Sequence, residues 1–193
     1  MTTIVSIVEG DGEDAALPVL LRRLGEWLTP DEYINVARPI RVGRNQFLNR
    51  ADIFSKQLQL AALKCTQPGW ILILLDADDD CPAELARDIL QRSMRIIPNQ
   101  RVSVVLAKRE YEAWFLASAL SLNGKRNLRI DAAPANAESV RGAKEWLSER
   151  ILNGRYREVT DQPALSAVMD LQQARENSRS FRKLCTEWEK NMR

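Results

Sequence analysis

Two short stretches crowd acids together where an apolar run stops. In SIVEGDGEDAALPVLL (6–21), Glu9, Asp11, Glu13 and Asp14 come straight after TIVSIV. In WILILLDADDDCP (70–82), Asp76, Asp78, Asp79 and Asp80 follow an apolar run in the same way. Carboxylates packed this tightly raise one another's pKa and destabilise a fold unless a cation neutralises them. The chain has no histidine, which removes Ser-His-Asp and Cys-His nucleophilic sites, His general bases and the usual zinc sites. The chemistry left to these residue types is that of a hard, oxygen-only site for Mg²⁺, with Mn²⁺ as a substitute.

Each acid also has a structural reading. An acid after a strand often caps the next helix, and Asp14 or Asp80 alone would be read that way. Glu-Gly after one strand and Asp-x-Asp after another in the same domain shift the reading toward a shared cation. Glu110 and Glu112 follow a further strand, as metal ligands or a general base, or simply as acids at a helix start. Lys108 and Arg109 stand beside them, either to bind phosphate or as a solvated rim. Arg38, Arg41, Arg44 and Arg50 form a patch that could contact a nucleic-acid backbone, or be ordinary surface arginines. Trp114, Trp146 and Trp188 read as core. Asp161 and Gln162 read as caps for a helix opened by Pro163, and Ser178 and Ser180 as caps of the last helix.

The elements that would position these residues follow from periodicity. TIVSIV (3–8), YINVARPIRV (33–42), GWILILLD (69–76) and VSVVLA (102–107) read as strands, and Pro39 suggests an edge or a bulge in the second. Helices are expected at about 14–28, with Pro18 in the first turn, and at 50–65, 83–96 and 110–120. This alternation predicts an α/β domain with a mostly parallel sheet and helices on both faces. GWILILLD, apolar on both sides, belongs in the sheet centre. Ligands of such sheets bind beyond the carboxyl ends of the strands, which is where both acidic clusters fall. After about residue 120, helices are expected near 137–152, 163–174 and 178–191. The domain reading is 1–120 for the α/β unit and 121–193 for a helical extension packed on it.

The bulk numbers agree with an ordinary globular chain. Its 193 residues are 45% hydrophobic and 28% charged, with a net charge of +2. No apolar run is long enough to span a membrane. The opening MTTIVSIVEG lacks a basic start and a small-residue cleavage site, so no secretory signal is expected. Cys65, Cys81 and Cys185 are odd in number and widely spaced, which points to a reducing, cytoplasmic setting.

Glu9-Gly10 after the first strand and Asp76-Ala77-Asp78 after a later hydrophobic strand resemble the Toprim domain of topoisomerases, primases and the overcoming-lysogenization-defect (OLD) nucleases. That resemblance covers about 3–120. KREYEAWFLA (108–117), YREVTDQPAL (156–165) and SRSFRKL (178–184) are similar to small bacterial Toprim-like proteins. The resemblance implies a second acid a few residues after Glu9, for which Glu13 is the candidate, and a late lysine. Lys183 is the candidate there, with Arg179 and Arg182 as competitors. It leaves open which of Asp78, Asp79 and Asp80 bind metal, and Asp80 is carried as a candidate ligand. The expected activity is Mg²⁺-dependent cleavage of DNA or RNA phosphodiesters. Glu9, Glu13, Asp76, Asp78, Glu112 and Lys183 would be its catalytic residues. The chain has no G-x-x-x-x-G-K-[ST] loop, so the resemblance implies a separate ATPase partner and a role in defence against phage or plasmids. The alternative is a non-catalytic metal-binding or regulatory subunit. A receiver-like phosphotransfer domain ranks below both, because its acid pattern runs the other way round.

Overall fold

The structure, a computed structural model, describes residues 1–192. Three apolar runs become the strands β1 (Thr2–Val8), β4 (Gly69–Asp76) and β5 (Val102–Ala107). The second expected strand is split into β2 (Ile34–Val36) and β3 (Ile40–Arg41). Both halves pair in parallel with β1, and the break falls at Ala37–Pro39, where Pro39 has no N–H to donate. The strand order is β2-β1-β4-β5, with β3 continuing beside β1, and every pairing is parallel. The fold is therefore α/β with a parallel sheet. β4 is central and buried along its length.

Alternation along the strands divides the core. Ile4, Val8, Trp70, Leu72, Leu74 and Val105 face one side. Val5, Ile7, Ile71, Ile73, Leu75 and Leu106 face the other. The second side is covered by α3 (Ala51–Lys64) and α4 (Pro82–Ile96), whose Phe54, Leu58 and Ile89 are buried there. A short helix not foreseen from the sequence, α2 (Arg44–Asn49), precedes α3 and buries Phe47, whose ring lies 4.7 Å from that of Phe54.

The first side is covered by α1 (Asp11–Leu28) and by the helices beyond residue 120. α1 starts three residues earlier than its apolar stripe suggested, so Pro18 lies inside the helix and not in its first turn. Its stripe of Leu17, Leu20, Leu21 and Leu24 is buried. The expected helix at 110–120 shortens to α5 (Ala113–Ala117) and a 3₁₀ turn. The expected helix at 137–152 becomes a 3₁₀ turn and α6 (Ala143–Ser148). The one at 163–174 divides into α7 (Glu158–Ser166) and α8 (Leu171–Asn177). The last, α9 (Arg179–Asn191), is capped by Ser178, whose Oγ accepts the Phe181 N–H at 3.0 Å. α9 buries Phe181, Leu184, Cys185 and Trp188, and Trp188 meets Trp70 edge-on with centroids 6.0 Å apart. Trp114 is fully buried too, whereas Trp146 is only partly covered, under the Arg150 guanidinium.

Candidate functional site

β1 and β4 are neighbours in parallel, with Ile7 opposite Ile73, so Glu9 and Asp76 emerge side by side at the carboxyl end of the sheet. β5 adds Glu112 at the same rim, at the foot of α5. Glu13 reaches it from the first turn of α1. Glu112 is fully buried, Glu13 nearly so, and Glu9 and Asp76 partly.

The charges interact as the crowding requires. Burial, then the charges of Glu13, Glu112 and Glu9, pushes the Asp76 carboxyl well above the usual carboxylate range. Burial and the charge of Asp78 raise Glu9. Burial raises Glu112 to about 7. The cation of the group is Lys144, in the first turn of α6. Burial works against its charge, but Glu112, Glu158 and Asp76 outweigh that and hold its proton more firmly than usual. Its Nζ lies 2.7 Å from Glu158 Oε1. Gly142, at φ +70°, turns the chain into α6 and delivers Lys144 to the rim.

Gln162, on α7, ties the acids together from below. Its amide donates to Glu13 Oε1 at 3.3 Å and to Glu112 Oε1 at 3.1 Å. Tyr156 O–H donates to Glu112 Oε1 at 2.9 Å. The other oxygen of Glu13 accepts the Gly10 N–H at 2.9 Å, so Glu13 also fixes the start of α1. Helix capping thus falls to Glu13. Asp14 pairs with Arg38, and α4 is capped by neither Asp80 nor any other side chain. Asp161 does assist a helix start, accepting the Arg157 N–H at 2.8 Å, while α7 begins at Glu158 and not at Pro163.

The Asp-x-Asp loop is divided. Asp78 has a left-handed backbone, φ +49°, as does Arg109, φ +65°. The two are joined by a bond of 3.0 Å from Asp78 N–H to Arg109 O. A non-glycine residue held this way stores about 1 kcal/mol or more, and such strain concentrates at functional sites. Arg44 stands 3.6 Å from Asp78 and hydrogen-bonds Asp80. Arg109 and Arg141 hold the Asp79 carboxyl below its ordinary range. Asp78, Asp79 and Asp80 thus each have an arginine beside them, and Arg44 also acts on Glu9, while among the described residues the carboxylates of Glu13, Asp76 and Glu112 have no arginine partner. The arginine patch is spent in the same way, since Arg38, Arg41, Arg44 and Arg50 each pair with an aspartate. A small open pocket of about 330 Å³, lined by Glu9, Gly43, Arg44, Asn45, Gln46 and Asp78, opens at the rim.

Lys183 does not join the group. It lies on α9, 2.5 Å from Glu187 Oε1 one turn on. Burial opposes the Glu187 charge, but Lys183 and the Ser103 hydroxyl hold its carboxyl below the ordinary range. α9 turns its cations away from the acidic rim because Phe181, Leu184 and Trp188 must face the core. The lysine that stands among the acids is Lys144. Lys183→Ala is expected to cost about 1–2 kcal/mol, because it leaves the buried Glu187 carboxylate hydrogen-bonded only to the Ser103 hydroxyl, and to leave any metal affinity unchanged. Chemical denaturation and a metal titration check this.

Residues 8–189 match the family described as Domain of unknown function (DUF4276). The chain belongs to the DUF4276 family. No curated protein and no solved structure matches it. The likeness to Toprim and OLD proteins thus rests on its short motifs, while DUF4276 spans nearly the whole chain. Because that match includes the segments carrying Lys144, Tyr156 and Gln162, the DUF4276 domain contains the complete acidic group.

A divalent cation can be tested against the residues present. Among the described residues, no three His, Cys, Asp or Glu side chains stand close enough to hold one ion between them. Mg²⁺ asks for less: one or two carboxylates, with waters and substrate phosphates completing its shell. Among the described residues, Glu9 Oε2, Glu110 Oε2 and Glu112 Oε2 are buried oxygens with no hydrogen-bond partner, as is Gln162 Oε1. Such orphans are costly unless a ligand meets them. An oxygen-only set of this kind fits Mg²⁺ or Mn²⁺ bound through Glu9 and Asp76.

Gln162 has its own requirement. A Cβ at Gly12 would lie 2.3 Å from Gln162 Oε1 and 3.2 Å from Glu158 Cβ, so α1 and α7 approach closely only because residue 12 is glycine. Gly12→Ala is expected to cost about 1–2 kcal/mol by overpacking and to free Glu112 from Gln162. Thermal denaturation and the Glu112 carboxyl shift in NMR would show it.

Proposed function

We propose that this protein is a Mg²⁺-dependent nuclease cleaving phosphodiester bonds of DNA or RNA. The observation that carries the reading is the orphaned buried carboxylate oxygens of Glu9 and Glu112, with Glu110 Oε2 a third after β5, around the proton-hungry Asp76 at one sheet rim. Glu9 and Asp76 would hold the ion, with Asp78 beside them. Bound there, Mg²⁺ would supply Lewis-acid stabilisation of the charge that develops on the phosphoryl oxygens. Glu112, with a carboxyl raised to about 7 and a free Oε2, is suited to take a proton from the attacking water. Lys144 would offset negative charge in the transition state. Glu13, held by Gly10 and Gln162, positions α1 and Glu112.

Support for the substrate class and partners comes from the Toprim and OLD resemblance. It implies a separate ATPase subunit and a role in defence against phage or plasmids, since the chain lacks a phosphate-binding loop of its own. Among the described residues no helix is long and apolar enough to cross a membrane.

The test is an assay of cleavage of plasmid, single-stranded DNA and RNA with Mg²⁺ or Mn²⁺, run with and without the protein encoded beside this one. Cleavage that is lost in Glu9→Gln and Asp76→Asn supports the mechanism; undiminished cleavage by both overturns it. The second reading, a non-catalytic metal-binding regulatory subunit, draws on the arginine pairing of Asp79 and Asp80. Metal binding without cleavage, alone or with a partner, selects it.

A further inference from the structure

β5 is the open edge of the sheet, paired only with β4. The ladder shows which way its backbone faces. Ile71 N–H donates to Arg101 O, and Ala77 N–H to Ala107 O, both at 2.8 Å. Residues 103, 105 and 107 therefore turn their N–H and C=O toward β4, and Val102, Val104 and Leu106 turn theirs outward. Lys108 N–H, next in the outward series, is met by Ser180 Oγ at 3.3 Å. Among the described residues no group meets the three before it. Val104 and Leu106 are themselves buried, so this unpaired edge is reached only through the groove beside it, and an unpaired edge is a template for another strand.

A groove of about 1320 Å³ lies over this edge, bounded by α4, α9 and the segment 133–139. Its floor is apolar, formed by Val102, Val104, Leu106, Ala86 and Leu90. Its walls carry seven Lys or Arg side chains against three Glu. That excess is larger than the +2 of the entire chain, so positive charge is concentrated here. Some of it is already engaged, as with Lys183 and Arg109. Arg87, Lys108, Arg179 and Lys190 have no ion-pair partner among the described residues.

Two features choose between a peptide and a nucleic-acid strand. No aromatic side chain lines the groove among the described residues, so bases have no platform to stack on. The edge also presents donors and acceptors in alternation, which a peptide backbone matches and a phosphate backbone, having only acceptors, does not.

We propose that the β5 edge takes up an extended acidic segment of a partner protein as an added strand. Alternate side chains of that segment would face opposite ways. Its carboxylates would meet Arg179, Lys190 and their neighbours on the α9 side. Its apolar residues would lie against Leu90, Val104 and Leu106. The groove adjoins the acidic rim at Arg109, but strand addition along β5 does not depend on chemistry there.

The experiment uses the full chain and a short fluorescent peptide alternating Glu and Val. The expected result is saturable binding, weakened about tenfold or more when the peptide amides that face β5 are methylated, when Lys replaces Glu in the peptide, and in the Arg179→Glu/Lys190→Glu protein. Peptide methylation needs no change to the protein, so it tests edge pairing without any question of folding. Absence of saturable binding overturns the proposal. So does equal binding of the methylated peptide, which would mean charge alone. So does displacement of the peptide by oligo-dT at lower concentration, which would make the groove a nucleic-acid path.

Discussion

Asp76→Asn is expected to make the metal-free protein more stable while abolishing its proposed activity. The two effects have one cause. Asp76 sits where burial and the charges of Glu13, Glu112 and Glu9 all oppose its ionisation. A group whose folded pKa is raised binds more protons folded than unfolded, so its charge destabilises the fold as pH rises above the unfolded value. Wild type therefore loses stability from about pH 4 upward, and the amide removes that loss. The gain at pH 7.5 should be about 1–2 kcal/mol, seen as a higher denaturation midpoint, and the two proteins should converge near pH 4. Cleavage should fall on the order of 10³-fold, the scale for loss of a main electrostatic element in a site. A residue kept for packing alone would give the opposite stability change.

Lys144→Ala has the reverse sign. The Lys144 ammonium is the cation shared by Glu112, Glu158 and Asp76. Its own raised pKa makes its contribution present throughout the neutral range, below the unfolded lysine value. That contribution depends on its partners being ionised, and Glu112 ionises only near pH 7. The loss should therefore be small at pH 5 and grow to about 1–2 kcal/mol at pH 8, a figure discounted because the side chain is 34% exposed. Removing a positioned cation should slow cleavage by about 10²–10³-fold. In the Asp76→Asn/Lys144→Ala pair the gain and the loss should not simply add, because the residues share one electrostatic group. Urea denaturation at pH 5 and pH 8 measures the stability changes, and the cleavage assay measures the rate.

How much of this could be read in the sequence depended on distance along the chain. β1, β4 and β5 are continuous apolar runs, and α4 and α9 carry clear stripes, so their places follow from local pattern. Glu9, Asp76 and Glu112 were legible because each follows a strand, and parallel strands end at one rim. Lys144 and Gln162 were not, because they reach the rim only through the packing of α6 and α7 across α1. The stretch YREVTDQPAL already held Tyr156 and Gln162, the two residues that bond Glu112. Proline at 163 made Gln162 look like a cap, whereas the helix opens five residues before that proline. Lys183 lies elsewhere for a related reason: its position late in the chain suggested the site, but the apolar face of α9 turns it toward Glu187 and the β5 groove. The split of β2 from β3 and the short α2 were settled by Pro39 and by Phe47 finding Phe54, contacts no local period reveals.

The most direct test of the central claim is a Mn²⁺ titration of the intact protein at pH 8, followed by calorimetry and electron paramagnetic resonance. The account predicts one saturable site. It should weaken about tenfold or more in Glu9→Gln and in Asp76→Asn, weaken again on lowering the pH to 6, and remain as in wild type in Lys183→Ala. No saturable binding, or binding that both carboxylate variants leave unchanged, would contradict it.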